Sequence, residues 1–409
     1  MQSTALREHF TLVMLTHKRP AFLSRALQYY KDFPGTLLVL DSSPEPATDI
    51  ASRFPHVDYR HLPQYDYMGF QAKIKHGLDL VKTPYMALVA DDDFILPGAI
   101  AESLDFLEAN PDYGICQGYS MMYLAESGHI NYYRRDKKIG QEDFASEDPR
   151  QRVMDYLYAF IPPFYAVTRT PLLRDWAAQI PKNLRFEWLE VSHTYFLLAS
   201  AKARMLPIPY AVREANYGAS EHNTEVTYAL ALPDPVSVAS REEFAGVLAS
   251  LDTPLKGERE DLQAFAHQSF AQMYEGLAGG RSLIIEPIFS SVIEGLGDEP
   301  KRKFLPTQYV ELPFYNKAFF DQLTAIEFLL HAMPAGRVQR EQLESVWLRQ
   351  ERLLAVRADD NAFSQIARAR EALAANPYNL DVVRRLEQLL ADDGETEAAG
   401  KLREWACLL

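Results

Sequence analysis

The sequence has few cysteines and no long hydrophobic segment. Its 409 residues include only two cysteines, Cys116 and Cys407, too few for a disulfide scaffold or a cysteine-rich zinc site, so a reducing compartment is expected. No stretch reaches the roughly 18 uninterrupted apolar residues of a membrane-spanning helix, and residues 1–10 lack the apolar core of a secretion signal. We therefore expect a cytoplasmic protein, with peripheral attachment at the inner face of a membrane left open.

Positive charge is also scarce. The chain has 42 Lys and Arg against 56 Asp and Glu, and its net charge is -14. Such a surface repels nucleic acid and anionic membranes at long range, so nucleic acid is not an expected partner. Any phosphate group that binds must be met locally, by a metal ion or by a few basic side chains.

Apolar runs alternate with helical patterns through the first 110 residues. Strands are predicted at 10–15, 36–40, 57–61 and 85–90, and helices at 20–30, 70–81 and 97–110. This alternation is typical of βαβ units on a mainly parallel sheet, so the fold class is α/β. Further on, the pattern predicts strands at 114–123 and 164–168, a helix at 187–203, an extended segment at 205–212 and a mobile loop at 215–227.

The length and the change of pattern predict three domains. The α/β domain covers 1–235, and a helical domain covers 236–360, since apolar residues beyond Arg241 recur at three- and four-residue spacing. Residues 361–409 resemble one tetratricopeptide unit, a helical hairpin that either packs on this chain or offers a surface for a protein partner or for self-association.

Three consecutive aspartates follow the apolar run Tyr85–Ala90. Asp91, Asp92 and Asp93 repel one another, because stacked anions raise each other's pKa, and a cation would relieve that repulsion. Carboxylate oxygens favour Mg²⁺ or Mn²⁺, and such an ion commonly bridges one or two carboxylates to substrate phosphates. The triplet therefore predicts a divalent-metal site for a nucleotide diphosphate; the competing interpretation is a solvated acidic turn.

Other polar groups follow the neighbouring strands. In an open parallel sheet ligands collect outside the carboxyl ends of the strands. Thr16 and Arg19 follow the first predicted strand, Asp41 ends the second, and Lys73 lies on the helix before the central strand. These residues are candidate contacts for the same nucleotide.

Together these elements resemble the family-2-like glycosyltransferases of the GT-A fold, over roughly residues 10–220. The resemblance rests on Leu15-Thr16-His17-Lys18-Arg19-Pro20, on Leu38-Val39-Leu40-Asp41-Ser42-Ser43, and on Gly77 eight residues before the run that ends in Asp91-Asp92-Asp93.

The resemblance implies a role for each candidate. Asp91, Asp92 and Asp93 become the DXD motif that holds Mn²⁺ or Mg²⁺ against the donor diphosphate, with the ligand register among them open. Thr16, Arg19 and Asp41 become nucleotide-sugar contacts together with Asp91 and Asp92. Lys73 is a further candidate contact because of its place before the central strand, and the alternative is an ordinary surface charge. His222 becomes a metal ligand or a group over the leaving phosphate.

An inverting transfer also needs a carboxylate that deprotonates the acceptor hydroxyl. The family supplies it from an acidic motif that opens a helix, and Phe186-Glu187-Trp188-Leu189-Glu190-Val191 occupies the matching place. Glu190 is the preferred base, and Glu187, one turn away, is the alternative.

The sequence thus predicts a metal-dependent glycosyltransferase that acts on a nucleotide-sugar donor. The acceptor is a glycan, a lipid-linked glycan or a protein hydroxyl. A sugar-phosphate nucleotidyltransferase is the second enzyme class, although its glycine-rich phosphate loop has no counterpart between Thr16 and Pro20. The third hypothesis is a non-catalytic scaffold derived from a transferase.

Overall fold

The computed structural model of the protein describes residues 3–65, 70–126, 129–134, 143–159, 163–182, 184, 186–214, 230, 235–278, 286–292, 361–375, 380–396, 398–400 and 402–403. Contacts divide the chain into two compact units. The first unit joins Met1–Met121 to Arg135–Ile285, and the second joins Met122–Arg134 to Glu286–Leu409. The predicted domain boundaries at residues 235 and 360 stay predictions.

The strands alternate with helices through the first 110 residues, as the sequence pattern predicts. The strands are β1 (Phe10–Thr16), β2 (Thr36–Asp41), β3 (Val57–His61), β4 (Tyr85–Ala90), β5 (Phe94–Ile95), β6 (Tyr113–Glu126), β7 (His129–Arg134), β8 (Asp143–Phe144), β9 (Val167–Arg169), β10 (Lys202–Glu214) and β11 (Glu286–Val292). The helices are α1 (Ser3–His9), α2 (Pro20–Tyr29), α3 (Thr48–Ala51), α4 (Phe70–Leu80), α5 (Pro97–Ala109), α6 (Pro149–Ala159), α7 (Thr170–Gln179), α8 (Phe186–Ser200), α9 (Pro235–Ala249), α10 (Arg259–Ala278), α11 (Ala362–Ala375) and α12 (Leu380–Asp392).

The sheet of the first unit is mixed, with a parallel centre. Its strand order is β6-β9-β4-β1-β2-β3. The pairs β1–β2, β1–β4 and β2–β3 are parallel, whereas β9 runs antiparallel to both β4 and β6. Strand β10 pairs antiparallel with β5 and β8. The α/β fold with a mainly parallel sheet, predicted from the sequence, is confirmed.

The central strands are mostly apolar, as is typical of parallel strands that are buried on both faces. Every residue of β1 is buried, and so are all but the first of β2 and all but the last of β4. Helix α4 approaches the sheet at Gly77, where an added Cβ would meet the side chains of Leu40 and Val13. This packing fixes the carboxyl ends of β1, β2 and β4 next to one another.

One predicted strand is shorter than expected. The sequence predicts 164–168, but Pro163–Tyr165 forms a turn of 3₁₀ helix and β9 begins only at Val167. Pro163 lacks the N–H that a central strand needs, so pairing starts after it. The loop predicted at 215–227 lies outside the described residues.

The second unit contains an antiparallel pair of strands and a helical hairpin. Strand β11 pairs with β7, Val292 opposite His129, in a region where the sequence indicated helices alone. Helices α11 and α12 share a small core with Ala399, which follows α12 in the chain; the helical members are Ile366, Ala369, Leu386, Leu389 and Leu390. The helical hairpin is therefore present, and its likeness to a tetratricopeptide unit stays a prediction.

Of the helices in the described ranges, none combines the length and the apolar character of a membrane-spanning segment.

Candidate active site

The candidate residues from the first three loops meet at one edge of the sheet. In the parallel register, Thr16 at the end of β1 lies opposite Asp41 at the end of β2. On its other side, Leu15 lies opposite Ala90, the last residue of β4, so Asp91 emerges beside Thr16. The sequence separates these groups by up to 75 residues, and the parallel sheet brings them together.

Asp91 is buried and bonded on both oxygens. The Thr16 hydroxyl donates a 2.6 Å hydrogen bond to Oδ2, and Nη1 of Arg19 lies 3.0 Å from Oδ1. Burial raises the pKa of Asp91 to about 7, against the opposing effect of Arg19. Thr16 and Arg19 therefore favour the charged form of Asp91 against the effect of burial.

Asp92 is the more exposed neighbour, with 34% of its side chain accessible. Its Oδ2 accepts a 2.7 Å hydrogen bond from Nη2 of Arg19, and its backbone carbonyl accepts one from Arg25 at 3.3 Å. The Arg19 guanidinium lies over the Phe22 ring, 4.1 Å from the centroid. A single guanidinium therefore bridges Asp91 and Asp92.

Asp93 turns to a different set of partners. Its Oδ2 accepts a 2.7 Å hydrogen bond from the Tyr165 hydroxyl and a 3.0 Å hydrogen bond from Nε of Arg213. Burial raises the pKa of Asp93. The charge of Asp93 is the largest cause of the raised pKa of Arg213, and Glu190 adds to it. Arg213 therefore lies within electrostatic reach of both the aspartate loop and the candidate base.

The predicted metal ligands do not all converge. Within the described ranges no group of three or more His, Cys, Asp or Glu side chains is arranged to hold a metal ion, and His222 lies outside those ranges. Asp91 and Asp92 share one cation, the Arg19 guanidinium, whereas Asp93 faces Arg213. Because Mg²⁺ and Mn²⁺ bound with a nucleotide need only one or two carboxylates, the Asp91–Asp92 pair fits such an ion. The three-aspartate ligand set stays a prediction.

Asp41 is held by its own loop and by β3. Its Oδ1 accepts the Ser43 N–H at 2.8 Å, and its Oδ2 accepts the Tyr59 hydroxyl at 2.6 Å. His61 lies 2.8 Å from the Ser43 carbonyl oxygen. Sequence reasoning missed Tyr59 and His61, because their contacts with the β2 loop depend on the pairing of β2 with β3.

Lys73 on α4 connects the carboxyl end of β1 to the loop after β2. It is buried, and its Nζ donates to the Thr16 carbonyl at 3.1 Å and to the Ser42 hydroxyl at 2.9 Å. Burial lowers its pKa to about 8, although Asp41 and Asp91 act in the opposite direction. Lys73 therefore positions the two loops and adds positive charge below them.

The candidate bases lie at the start of α8. Glu190 is half-buried, and among the described residues its carboxylate accepts no hydrogen bond, which leaves it available to a substrate hydroxyl. The backbone of Glu187 lies in the first turn of the same helix, and its side chain is outside the described part. The choice between them stays open.

Aromatic packing fixes α8 on both sides. The Trp188 ring stacks on Phe244 at 4.5 Å and on Phe270 at 5.8 Å, and its indole N–H donates a 2.9 Å hydrogen bond to Ser240. His193 is buried, with its ring 4.8 Å from that of Trp176. The helix that carries Glu190 is thus held rigidly in the first unit.

Comparison with known proteins adds a family match. The family model described as "Glycosyl transferase family 2" matches residues 11–176, which include β1, β2, β4 and the aspartate triplet. That part of the chain is therefore similar to the family 2 glycosyltransferases. Among curated proteins none matches the chain.

Similar solved structures are distant. They include S. aureus TarS 1-349, with 16% identity and a TM-score of 0.42 over 83% of this chain and 91% of that chain, and the same protein in complex with UDP-GlcNAc, with 16% identity and a TM-score of 0.42 over 83% and 92%. Another is the mannosyltransferase PcManGT from Pyrobaculum calidifontis in complex with GDP-Man and Mn²⁺, with 13% identity and a TM-score of 0.37 over 80% and 86%. At these TM-scores the similarity carries no conclusion of its own.

Proposed function

We propose that this chain, whose residues 11–176 match the glycosyltransferase family 2 model, transfers a sugar from a nucleotide-sugar donor to an acceptor hydroxyl. One observation carries the proposal. The loops after β1, β2 and β4 meet at the carboxyl edge of the sheet and are joined by the Thr16–Asp91 hydrogen bond and by Lys73. That edge is where open α/β sheets bind nucleotides.

The donor nucleotide occupies this edge in the proposed complex. Asp41 and the loop that follows it contact the base and the ribose. The Ser43 N–H and the Tyr59 hydroxyl hold the Asp41 carboxylate in one orientation, so its position is fixed before the nucleotide binds. Thr16 and Lys73 keep the β1 and β2 loops at a fixed distance. Arg19 and the Asp91–Asp92 pair lie where the diphosphate must pass.

A divalent ion, Mn²⁺ or Mg²⁺, supplies positive charge to the diphosphate when it is bound. Asp91 and Asp92 are the residues that would hold it. The chain's own cations, Arg19 and Arg213, contribute further positive charge at the same edge. Such charge stabilises the leaving diphosphate as the glycosidic bond breaks.

Glu190, with Glu187 as the alternative, removes the proton from the acceptor oxygen as that oxygen attacks the anomeric carbon. Attack from the face opposite the diphosphate inverts the configuration. The support for Glu190 is its half-buried carboxylate, which accepts no hydrogen bond from the residues that the structure describes, and its electrostatic proximity to Arg213. The acceptor is a glycan, a lipid-linked glycan or a protein.

The test separates donor binding from transfer. Donors with uridine, guanosine, cytidine and thymidine nucleotides are screened with Mn²⁺ for hydrolysis, in which water takes the place of the acceptor. With the active donor, Asp92→Asn should weaken donor binding at least about tenfold, which corresponds to a lost charge-assisted contact. Glu190→Gln should spare binding and lower kcat by about a hundredfold or more, as the loss of a general base does.

Two exposed acids serve as matched controls. Asp58→Asn on β3 and Glu275→Gln on α10 each remove one negative charge at a position outside the site. Both variants should leave donor binding and kcat unchanged. If no nucleotide or donor raises the melting temperature with Mn²⁺, the chain is a scaffold, and if Glu190→Gln retains full turnover, Glu190 is not the base. Release of pyrophosphate from a nucleoside triphosphate would indicate the nucleotidyltransferase instead.

A further inference from the structure

Arg19 occupies the position between two carboxylates that a metal ion would take. Its Nη1 lies 3.0 Å from Oδ1 of Asp91, and its Nη2 lies 2.7 Å from Oδ2 of Asp92. The two nitrogens belong to one rigid, planar group, so the carboxylates are held at a fixed separation. The Phe22 ring supports the guanidinium from one side.

This arrangement limits access to Asp91. Only 2% of the Asp91 side chain is exposed, and its other oxygen accepts the Thr16 hydroxyl. Arg19 lies against the remaining oxygen. A second cation can therefore reach Oδ1 of Asp91 only after the guanidinium has moved away.

The Arg19 side chain is only partly buried. It is 36% exposed, and within the described ranges its polar side-chain contacts are a hydrogen bond to Asp92 and ion pairs to Asp91 and Asp92. A guanidinium and a divalent ion repel each other at contact distance. They cannot share the same two oxygens unless an additional anion lies between them.

We infer that Arg19 is an internal counter-cation that keeps the Asp91–Asp92 pair neutralised and excludes a divalent ion until a diphosphate is present. The inference rests on the proposed function, because the diphosphate supplies the anion that accepts the displaced guanidinium. Metal and nucleotide then bind with positive coupling: each makes the other bind more tightly, by the same factor.

The experiment measures Mn²⁺ binding directly, by electron paramagnetic resonance of free Mn²⁺, with no turnover. Wild type, Arg19→Gln and Arg60→Gln are titrated alone and with saturating UDP or GDP. Arg60 forms a comparable pair with Asp58 on β3, so its variant removes the same charge elsewhere. Without nucleotide, Arg19→Gln should bind Mn²⁺ about tenfold more tightly than wild type, because one charge-assisted competitor is gone.

Two further readouts locate the effect. The ratio of the Mn²⁺ Kd without nucleotide to the Mn²⁺ Kd with nucleotide should be about tenfold smaller in Arg19→Gln than in wild type. In wild type the nucleotide relieves the competition between Arg19 and Mn²⁺, and in the variant that competition is already absent. Adding Asp92→Asn to Arg19→Gln should abolish the increase in Mn²⁺ affinity. Arg60→Gln should match wild type in every titration, and circular dichroism confirms that each variant is folded.

An unchanged or weaker Mn²⁺ affinity in folded Arg19→Gln overturns the inference, as does a gain equally large in Arg60→Gln. The proposed function fails separately. If Arg19→Gln binds Mn²⁺ more tightly but no donor is hydrolysed or transferred, the counter-cation role stands without the transferase. If transfer is observed and the Mn²⁺ affinities are equal, the transferase stands and the role of Arg19 does not.

Discussion

Nε of Arg213 donates a 3.0 Å hydrogen bond to Oδ2 of Asp93, across 120 residues of sequence. The bond ties β10 to the loop after β4, and the Tyr165 hydroxyl reaches the same oxygen. The buried Asp93 therefore has a cation of its own, separate from the Arg19 that serves its two neighbours. The triplet is divided between two arginines.

Arg213→Met should destabilise the protein. It leaves the buried Asp93 carboxylate with the Tyr165 hydroxyl but without its cation. Loss of one partner costs several kcal/mol in a fully buried ion pair, and because Arg213 is 35% exposed we expect about 1–3 kcal/mol. Urea unfolding measures the loss. Adding Asp93→Asn should restore part of it, and Arg60→Met, in an exposed pair, should change the free energy of unfolding by less than about 0.5 kcal/mol. No recovery in the double variant would contradict this account.

Lys73→Met should weaken both stability and nucleotide binding. Its ammonium bridges the β1 and β2 loops, and hydrogen bonds of charged groups contribute about 1.5–3 kcal/mol. The matched control is Lys75→Met, an exposed lysine on the same helix, which should stay within about 0.5 kcal/mol of wild type. Thermal unfolding with and without UDP or GDP gives both quantities. Equal behaviour of the two variants would show that the Lys73 ammonium contributes neither to stability nor to nucleotide binding.

Two helical glycines should respond oppositely to alanine. At Gly276 on α10 an added Cβ would meet the backbone carbonyl of Tyr158 on α6, so Gly276→Ala should cost about 1–3 kcal/mol through overpacking. At Gly246 on α9 a Cβ would meet nothing within 4 Å, so Gly246→Ala should stabilise by about 0.5–1 kcal/mol. Guanidinium unfolding measures both. The same sign for both variants would refute the packing of α10 on α6.

His193 should make the protein sensitive to acid. Burial lowers its pKa from 6.5 to about 3, and its ring packs on Phe164 and Trp176. Between these values the unfolded chain binds a proton that the folded protein does not, so stability falls as pH drops below 6.5. From pH 7.5 to 5 the loss due to His193 should be about 2 kcal/mol.

The comparison is His193→Phe, which keeps an aromatic ring in the same packing. The urea midpoint of this variant should fall less between pH 7.5 and 5 than that of wild type, by an amount equivalent to about 2 kcal/mol. Parallel pH profiles for the two proteins would mean that His193 is protonated in the folded state.

The sequence predicts best where local pattern decides the structure. Strands β3 and β4 have the predicted bounds, and β1, β2 and α5 differ from prediction by one residue at an end. For β1, β2 and β4 the reason is an apolar run between turn residues, which specifies a buried strand. The meeting of Thr16, Asp41 and Asp91 follows from the parallel order of the strands.

Long-range partners could not be predicted in this way. Nothing local in the sequence couples Asp93 to Arg213, or Asp41 to Tyr59, since these contacts depend on the strand order and on side-chain rotamers. The sequence therefore left the metal-ligand register among the three aspartates open, whereas the structure gives each aspartate a distinct surrounding. The roles of Glu187 and His222 stay predictions.

The stacked rings of Trp188, Phe244 and Phe270 determine how far the chain can be shortened. The family match ends at residue 176, yet the helix with the candidate base rests on rings supplied by α9 and α10. A fragment that ends before Pro235 would expose the Trp188 ring to solvent, and we expect such a fragment to aggregate. The smallest expressible catalytic piece should therefore extend through Ala278, the last residue of α10.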